Sequence, residues 1–137
     1  MEVEFGQREI EGIVILDLKG RLVAGGATTS LRDKVTSLLA EGKNRIVLNL
    51  KEVDYIDSSG LGSMVICYTS AKKHSGMLKL LHLNRRNVEL LVLTKLTTVF
   101  EIHNDEQAAV NSFFPNREIR KFDILAFLQQ QKDIPDE

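Results

Sequence analysis

Short apolar runs alternate along this chain with apolar residues at helical spacing, and that alternation narrows the fold more than any other property of the sequence. Val3 to Arg8 and Ile13 to Lys19 read as two strands joined at Glu11-Gly12, and Ile13-Val14-Ile15-Leu16 is apolar on both faces, which requires burial. After Gly25-Gly26-Ala27, which reads as a flexible stretch, Leu31, Val35, Leu38 and Leu39 form one helical stripe that Gly42 stops. Arg45 to Leu50 contains the next apolar run, Ile46-Val47-Leu48, and Asp54, Asp57, Ser58 and Ser59 read as the loop behind it. Leu61, Met64, Val65 and Tyr68 make the second stripe, with Lys72, Lys73 and His74 in the last turn before Gly76, where the helix dipole favours positive charge.

Met77 to Leu83 reads as a further strand, Asn84 as the cap of a helix carrying Val88, Leu91 and Val92, and Val99 to His103 as the final strand. Asn104 with Gln107 three positions on resembles a capping box for a fourth helix, which Pro115 interrupts. Strands alternating with helices imply an α/β fold. It should be one mixed, largely parallel sheet packed with about four helices, with an antiparallel strand from the N-terminus. At 137 residues the chain holds one domain, expected over residues 1–114, plus a short, partly helical C-terminal extension over 115–137. Ile119, Phe122, Ile124, Leu125, Phe127 and Leu128 make that extension too apolar for an inert linker. It is expected to pack on the domain or to mediate self-association as a homodimer.

Eighteen Lys and Arg against 19 Asp and Glu leave a net charge of -1, so no global field draws the chain to nucleic acid or to an anionic membrane. The lone Cys67 lies in an apolar helical stretch, which favours a reducing compartment. The N-terminus lacks a basic region followed by an apolar core, and no apolar run approaches the about 18 residues that span a bilayer, so the expected location is cytoplasmic. His74, His82 and His103 are scattered without metal-ligand spacing, Asp54 and Asp57 make a weak pair of oxygen donors, and neither metal nor other cofactor is expected. The lysine and spacing of a phosphate-binding loop are absent, which argues against direct nucleotide binding. A nucleophile elbow needs glycine two positions before its serine, and Ile56 stands there before Ser58. A small serine hydrolase using Ser58 or Ser63 is therefore the weaker reading, and a binding module that is not an enzyme the stronger.

The chemistry concentrates in Val53-Asp54-Tyr55-Ile56-Asp57-Ser58-Ser59-Gly60-Leu61-Gly62, where a strand ends, two hydroxyls follow an acid, and two glycines enter a helix. Gly60 and Gly62 remove bulk where another backbone could approach, and unpaired amides of a first helical turn favour an anion. A phosphoryl group on either serine is thus tolerated. The plainer reading makes Ser58 an N-cap, with Ser59 in support.

The run Asp57-Ser58-Ser59-Gly60-Leu61-Gly62 behind Ile46-Val47-Leu48-Asn49-Leu50, together with Leu18-Lys19-Gly20-Arg21-Leu22, resembles the signature of STAS-domain anti-sigma factor antagonists over roughly Val3 to Phe113. The resemblance implies a single STAS-like domain in which Ser58 is phosphorylated, with Ser59 the alternative acceptor. It implies as partners an anti-sigma factor that is itself a serine kinase and a metal-dependent serine phosphatase that reverses the modification. The unphosphorylated form would bind the anti-sigma factor and free the sigma factor, and the phosphorylated form would not, a cycle called partner switching. Asp57, Ser58, Ser59, Gly60, Leu61 and Gly62, with Ala24, Gly25, Gly26 and Thr28 from the neighbouring turn, are the expected partner-binding residues. The same fold also serves as an unmodified scaffold subunit in signalling or lipid-transport complexes, which is the alternative. Val23 departs from the family, many of whose members carry an aspartate shortly after the glycine of the second strand.

Overall fold

The structure, a computed structural model, describes residues 3–118 and 121–133. Its elements are β1 (Glu4–Ile10), β2 (Ile13–Leu22), α1 (Gly26–Ala40), β3 (Arg45–Ile56), α2 (Ser58–Lys73), β4 (Met77–Leu81), α3 (Arg85–Leu93), β5 (Ile102–His103), α4 (Glu106–Asn111) and α5 (Ile124–Asp133). The sheet runs β1-β2-β3-β4-β5 in chain order, with β1 antiparallel to β2 and every later pair parallel. The α/β architecture expected from the alternation is therefore present.

Alternation along the central strands gives the sheet two apolar faces. Val14, Leu16 and Leu18 of β2, Ile46, Leu48 and Leu50 of β3, and Leu78 and Leu80 of β4 join α1, α2 and α3 in the main core. Ile13, Ile15, Val47 and Leu81 point the other way and meet Ala109 and Val110 of α4, with Phe113 and Phe114 against them. The helical stripe of α1 is buried in full, and on α2 the core-facing side chains include Leu61, Met64 and Cys67. Cys67 is 1% exposed, and burial pushes its thiol up to about 12.

Several expected boundaries shift. The Gly25-Gly26-Ala27 segment is only partly a loop, because α1 begins at Gly26, and Ala27 is buried. Asp54 lies on a strand instead of in a loop, since β3 continues to Ile56 and delivers Val53 and Ile56 to the main core. Its partner β2 follows through register shifts at Asp17/Lys19 and Gly20/Arg21, where Gly20 takes a φ of 123° that side chains disfavour. The last strand shortens to Ile102–His103. Val92 is 42% exposed instead of core-facing. The fourth helix is capped by Asp105, whose carboxylate accepts the Ala108 amide, and not by Asn104; Gln107 instead donates to Asn111.

Beyond α4, Phe122, Ile124, Phe127 and Leu128 pack on the main core, and Arg85 of α3 donates to the Leu128 carbonyl at 2.6 Å. Ile119, named above with these apolar residues, lies outside the described residues. Among the described residues no helix is long and apolar enough to cross a membrane.

Candidate functional site

Strands β2 and β3 are parallel neighbours, so the turn after β2 and the turn after β3 emerge at the same end of the sheet. The first carries Ala24 and Gly25 and enters α1 at Gly26, and the second carries Asp57 and enters α2 at Ser58 and Ser59. One carboxylate joins them. Asp57 is the N-cap of α2: its Oδ1 accepts the Gly60 amide at 2.8 Å and its Oδ2 accepts the Ala24 amide at 3.1 Å. The Asp57 backbone also donates to the Leu22 carbonyl at 3.2 Å, fixing the junction to the end of β2.

This assignment corrects the reading of Ser58 as cap. An acid one residue earlier reaches the amide three positions on, as capping geometry requires, and leaves Ser58 and Ser59 as exposed first-turn residues. Those donated bonds, led by the Gly60 amide and opposed by partial desolvation, hold the Asp57 carboxyl below the usual carboxylate range. One of the first-turn amides expected to be unpaired, that of Gly60, is therefore taken by Asp57.

The two glycines play different parts. A Cβ on Gly60 would overlap the Leu22 carbonyl oxygen and lie 3.0 Å from Ile56 Cγ2, so the backbone that approaches Gly60 is this chain's own. A Cβ on Gly62 would meet nothing within 4 Å, and Gly62 is exposed. Gly60, Leu61 and Thr28 are buried, and Thr28 turns its hydroxyl onto the Gly25 carbonyl at 3.0 Å. The outward groups are thus Ser58, Ser59, Gly62, Ala24, Gly25 and Gly26.

Ser58 and Asp57 line one wall of a 570 Å³ cleft whose opposite wall comes from α3. Its floor and rim include Tyr55, Arg86, Glu89, Leu90 and Leu93, and Leu93 is 81% exposed. The guanidinium carbons of Arg86 and Arg21 lie 5.2 and 5.5 Å from the Tyr55 ring centroid. The meeting of Arg86 with Tyr55 has no sign in the sequence, because nothing in the local pattern brings α3 beside the end of β3. Of the histidines, His74 stands at the opposite end of α2 from Ser58, and His103 is buried on β5 against Glu101 at 2.6 Å.

A second polar cluster also escaped the sequence reading. Lys79 of β4 is buried, with Nζ donating to Glu101 Oε2 at 3.0 Å, to the Ser112 carbonyl at 3.1 Å and to the Ser112 hydroxyl at 2.8 Å. Its ammonium lies 4.4 Å from the Phe113 ring centroid. Desolvation would raise Glu101, but the bonds from His103 and Lys79 outweigh it and leave that carboxyl lowered.

Comparison with known proteins gives a consistent result. The STAS domain family matches residues 6–109. The chain is 33% identical over 110 residues to the anti-sigma-B factor antagonist of Listeria monocytogenes, covering 77% of this chain and 91% of that protein. It is 29% identical over 110 residues to the anti-sigma-B factor antagonist of Bacillus subtilis, covering 80% of this chain and 99% of that one. A crystal structure from Thermotoga maritima, described as that of a candidate anti-sigma factor antagonist, superimposes with a TM-score of 0.74 at 27% identity, over 79% of this chain and 92% of the other.

Proposed function

The chain belongs to the STAS-domain anti-sigma factor antagonist family, and from that premise we propose that its unphosphorylated form binds an anti-sigma factor serine kinase, frees the sigma factor, and loses that partner once Ser58 is phosphorylated. The observation that carries this reading is the placement of Ser58. It is an exposed hydroxyl-bearing residue on a rigid strand-helix junction, immediately after an Asp57 that holds two segments together. In the kinase reaction the Ser58 oxygen attacks the γ-phosphorus of ATP bound to the kinase, ADP departs, and the hydroxyl proton passes to a base on the kinase.

The docking surface consists of the outward groups Ser58, Ser59, Gly62, Ala24, Gly25 and Gly26, with Asp57, Gly60, Leu61 and Thr28 holding them in place. Phosphorylation adds about -1.5 to -2 charge next to Asp57 on that surface, which a partner must then desolvate. The change acts at the interface while the cap and core bonds stay as they are. A metal-dependent serine phosphatase restores the binding form. The chain itself acts by binding in the cytoplasm and is not an enzyme.

The test combines phosphosite mapping by mass spectrometry, on protein from its native cells, with calorimetry against the captured kinase. Ser58→Asp is expected to weaken binding by more than about tenfold, or about 1.4 kcal/mol, with cooperative unfolding retained. Equal affinities of the two forms would remove the switch. Val23, standing where many members have an aspartate, favours a second reading as an unmodified scaffold subunit; this predicts no phosphate on Ser58 under any growth condition and a stable large complex on size exclusion.

A further inference from the structure

Asp57 sits at the start of α2 and already takes the Gly60 amide on one carboxylate oxygen at 2.8 Å, with the Ala24 amide from the turn after β2 on the other at 3.1 Å. A phosphoryl group on Ser58 therefore meets a negative charge and an already engaged Gly60 amide on the α2 side. Across the cleft the charge is opposite. Arg86, from the first turn of α3, lines the same cleft as Ser58, and Arg21 is held beside Tyr55 by the β2–β3 register. Among the described residues neither arginine forms an ion pair, and each rests on the Tyr55 ring. Glu89, the other acid of the cleft, is paired to Arg85 at 3.1 Å.

We infer that the phosphoryl group, once on Ser58, is bound across the cleft by the Arg86 guanidinium; this rests on the reading of Ser58 as phosphoacceptor. A guanidinium is a planar fork, so it can keep its face on Tyr55 while its edge donates to phosphate oxygens. Arg21 adds positive field from the other strand without bridging. The pairing ties the β3–α2 junction to α3 and fills the mouth of the cleft. The modified state is then a bridged surface as well as a more negative one.

The test uses the full chain with phosphoserine installed at position 58 by genetic encoding, so its outcome does not depend on whether a kinase modifies the protein in cells. The second phosphate ionisation, ordinarily near about 6, is followed by phosphorus NMR. With Arg86 present the midpoint is expected at least about half a unit lower than in Arg86→Gln, with Arg86→Lys between them, because a facing cation favours the dianion. The gap should shrink in about 1 M salt, as for any partly exposed pair. Lys72→Gln, at the far end of α2, should leave the midpoint unchanged. Equal midpoints for wild type and Arg86→Gln, or an equal shift from Lys72→Gln, would overturn the pairing. Matching amide spectra establish that the variants are folded, and Arg86→Lys supplies the comparison if Arg86→Gln is not. Absence of phosphate on Ser58 in native cells would strike the proposed function while leaving this measurement intact.

Discussion

The amide of Ala24 donates to Asp57 Oδ2 at 3.1 Å, tying together two turns whose contact residues stand 33 positions apart in the chain. The other carboxylate oxygen caps α2 through Gly60. Asp57→Ala removes both bonds and is expected to destabilise the domain by about 0.5–2 kcal/mol, the range for loss of an N-cap. Urea unfolding followed by circular dichroism measures it. A loss smaller than that of an exposed substitution such as Thr36→Ala would contradict the structural role of the carboxylate.

The same carboxyl makes stability depend on pH. Its folded value lies below the ordinary 3.8, mainly because the Gly60 amide bonds the ionised form. The stabilisation is therefore complete above the unfolded value and is lost as pH falls through the lower, folded one. The stability difference between wild type and Asp57→Asn should be constant at neutral pH and narrow below about 4. Denaturant midpoints measured in steps down to acid pH would show this.

Gly60 and Gly62 should respond oppositely to alanine. At Gly60 the new methyl collides with the Leu22 carbonyl, and a loss of about 1–3 kcal/mol or more is expected. At Gly62 it enters open space on a helix, where alanine is worth about 0.5–1 kcal/mol. Thermal melts of the two variants distinguish the positions, and a stable Gly62→Ala protein that binds its partner poorly would locate the docking face.

Lys79→Met keeps the length of the side chain but removes the bonds to Glu101 and Ser112. A destabilisation of about 1–3 kcal/mol is expected, since the hydrogen bonds of a buried, charged donor are lost. The Glu101 carboxyl should titrate closer to its ordinary value, because one of the bonds that lower it is gone. Carbon-detected NMR of the carboxylates reports that shift directly.

The C-terminal helix offers an internal control. Phe127 packs on the main core and meets Phe122 edge-on at 5.3 Å between ring centroids. Leu125, two residues earlier on the same helix, is 78% exposed. Phe127→Ala should cost about 1–3 kcal/mol, below the range for a fully buried ring, whereas Leu125→Ala should stay within about 0.5 kcal/mol. Similar losses at both positions would mean that α5 does not dock as described.

Much of this architecture was legible because burial leaves a period. Ile13 to Leu16 and Ile46 to Leu48 are apolar on both faces because the sheet is covered on both, and the stripe Leu31, Val35, Leu38, Leu39 marks the buried side of α1. The junction at Asp57 to Gly62 stood out by composition. Caps were misplaced by one residue at both Ser58 and Asn104, since adjacent Asp, Ser and Asn offer the same acceptor chemistry and only backbone geometry chooses among them. The end of β3 was missed because Lys51-Glu52-Val53-Asp54-Tyr55-Ile56 mixes polar and apolar residues over a bulged register. Arg86 over Tyr55 and Lys79 over Phe113 are contacts between distant elements, which no local period encodes.

The covered thiol on α2 has a use beyond packing. Cys67 is closed to solvent and held neutral, so an alkylating reagent can reach it only during moments when the helix leaves the sheet. The rate of labelling then keeps time for those openings, one molecule at a time. Because Ser58 begins the same helix, a partner seated at its first turn would be heard from its middle as a slowing of that clock.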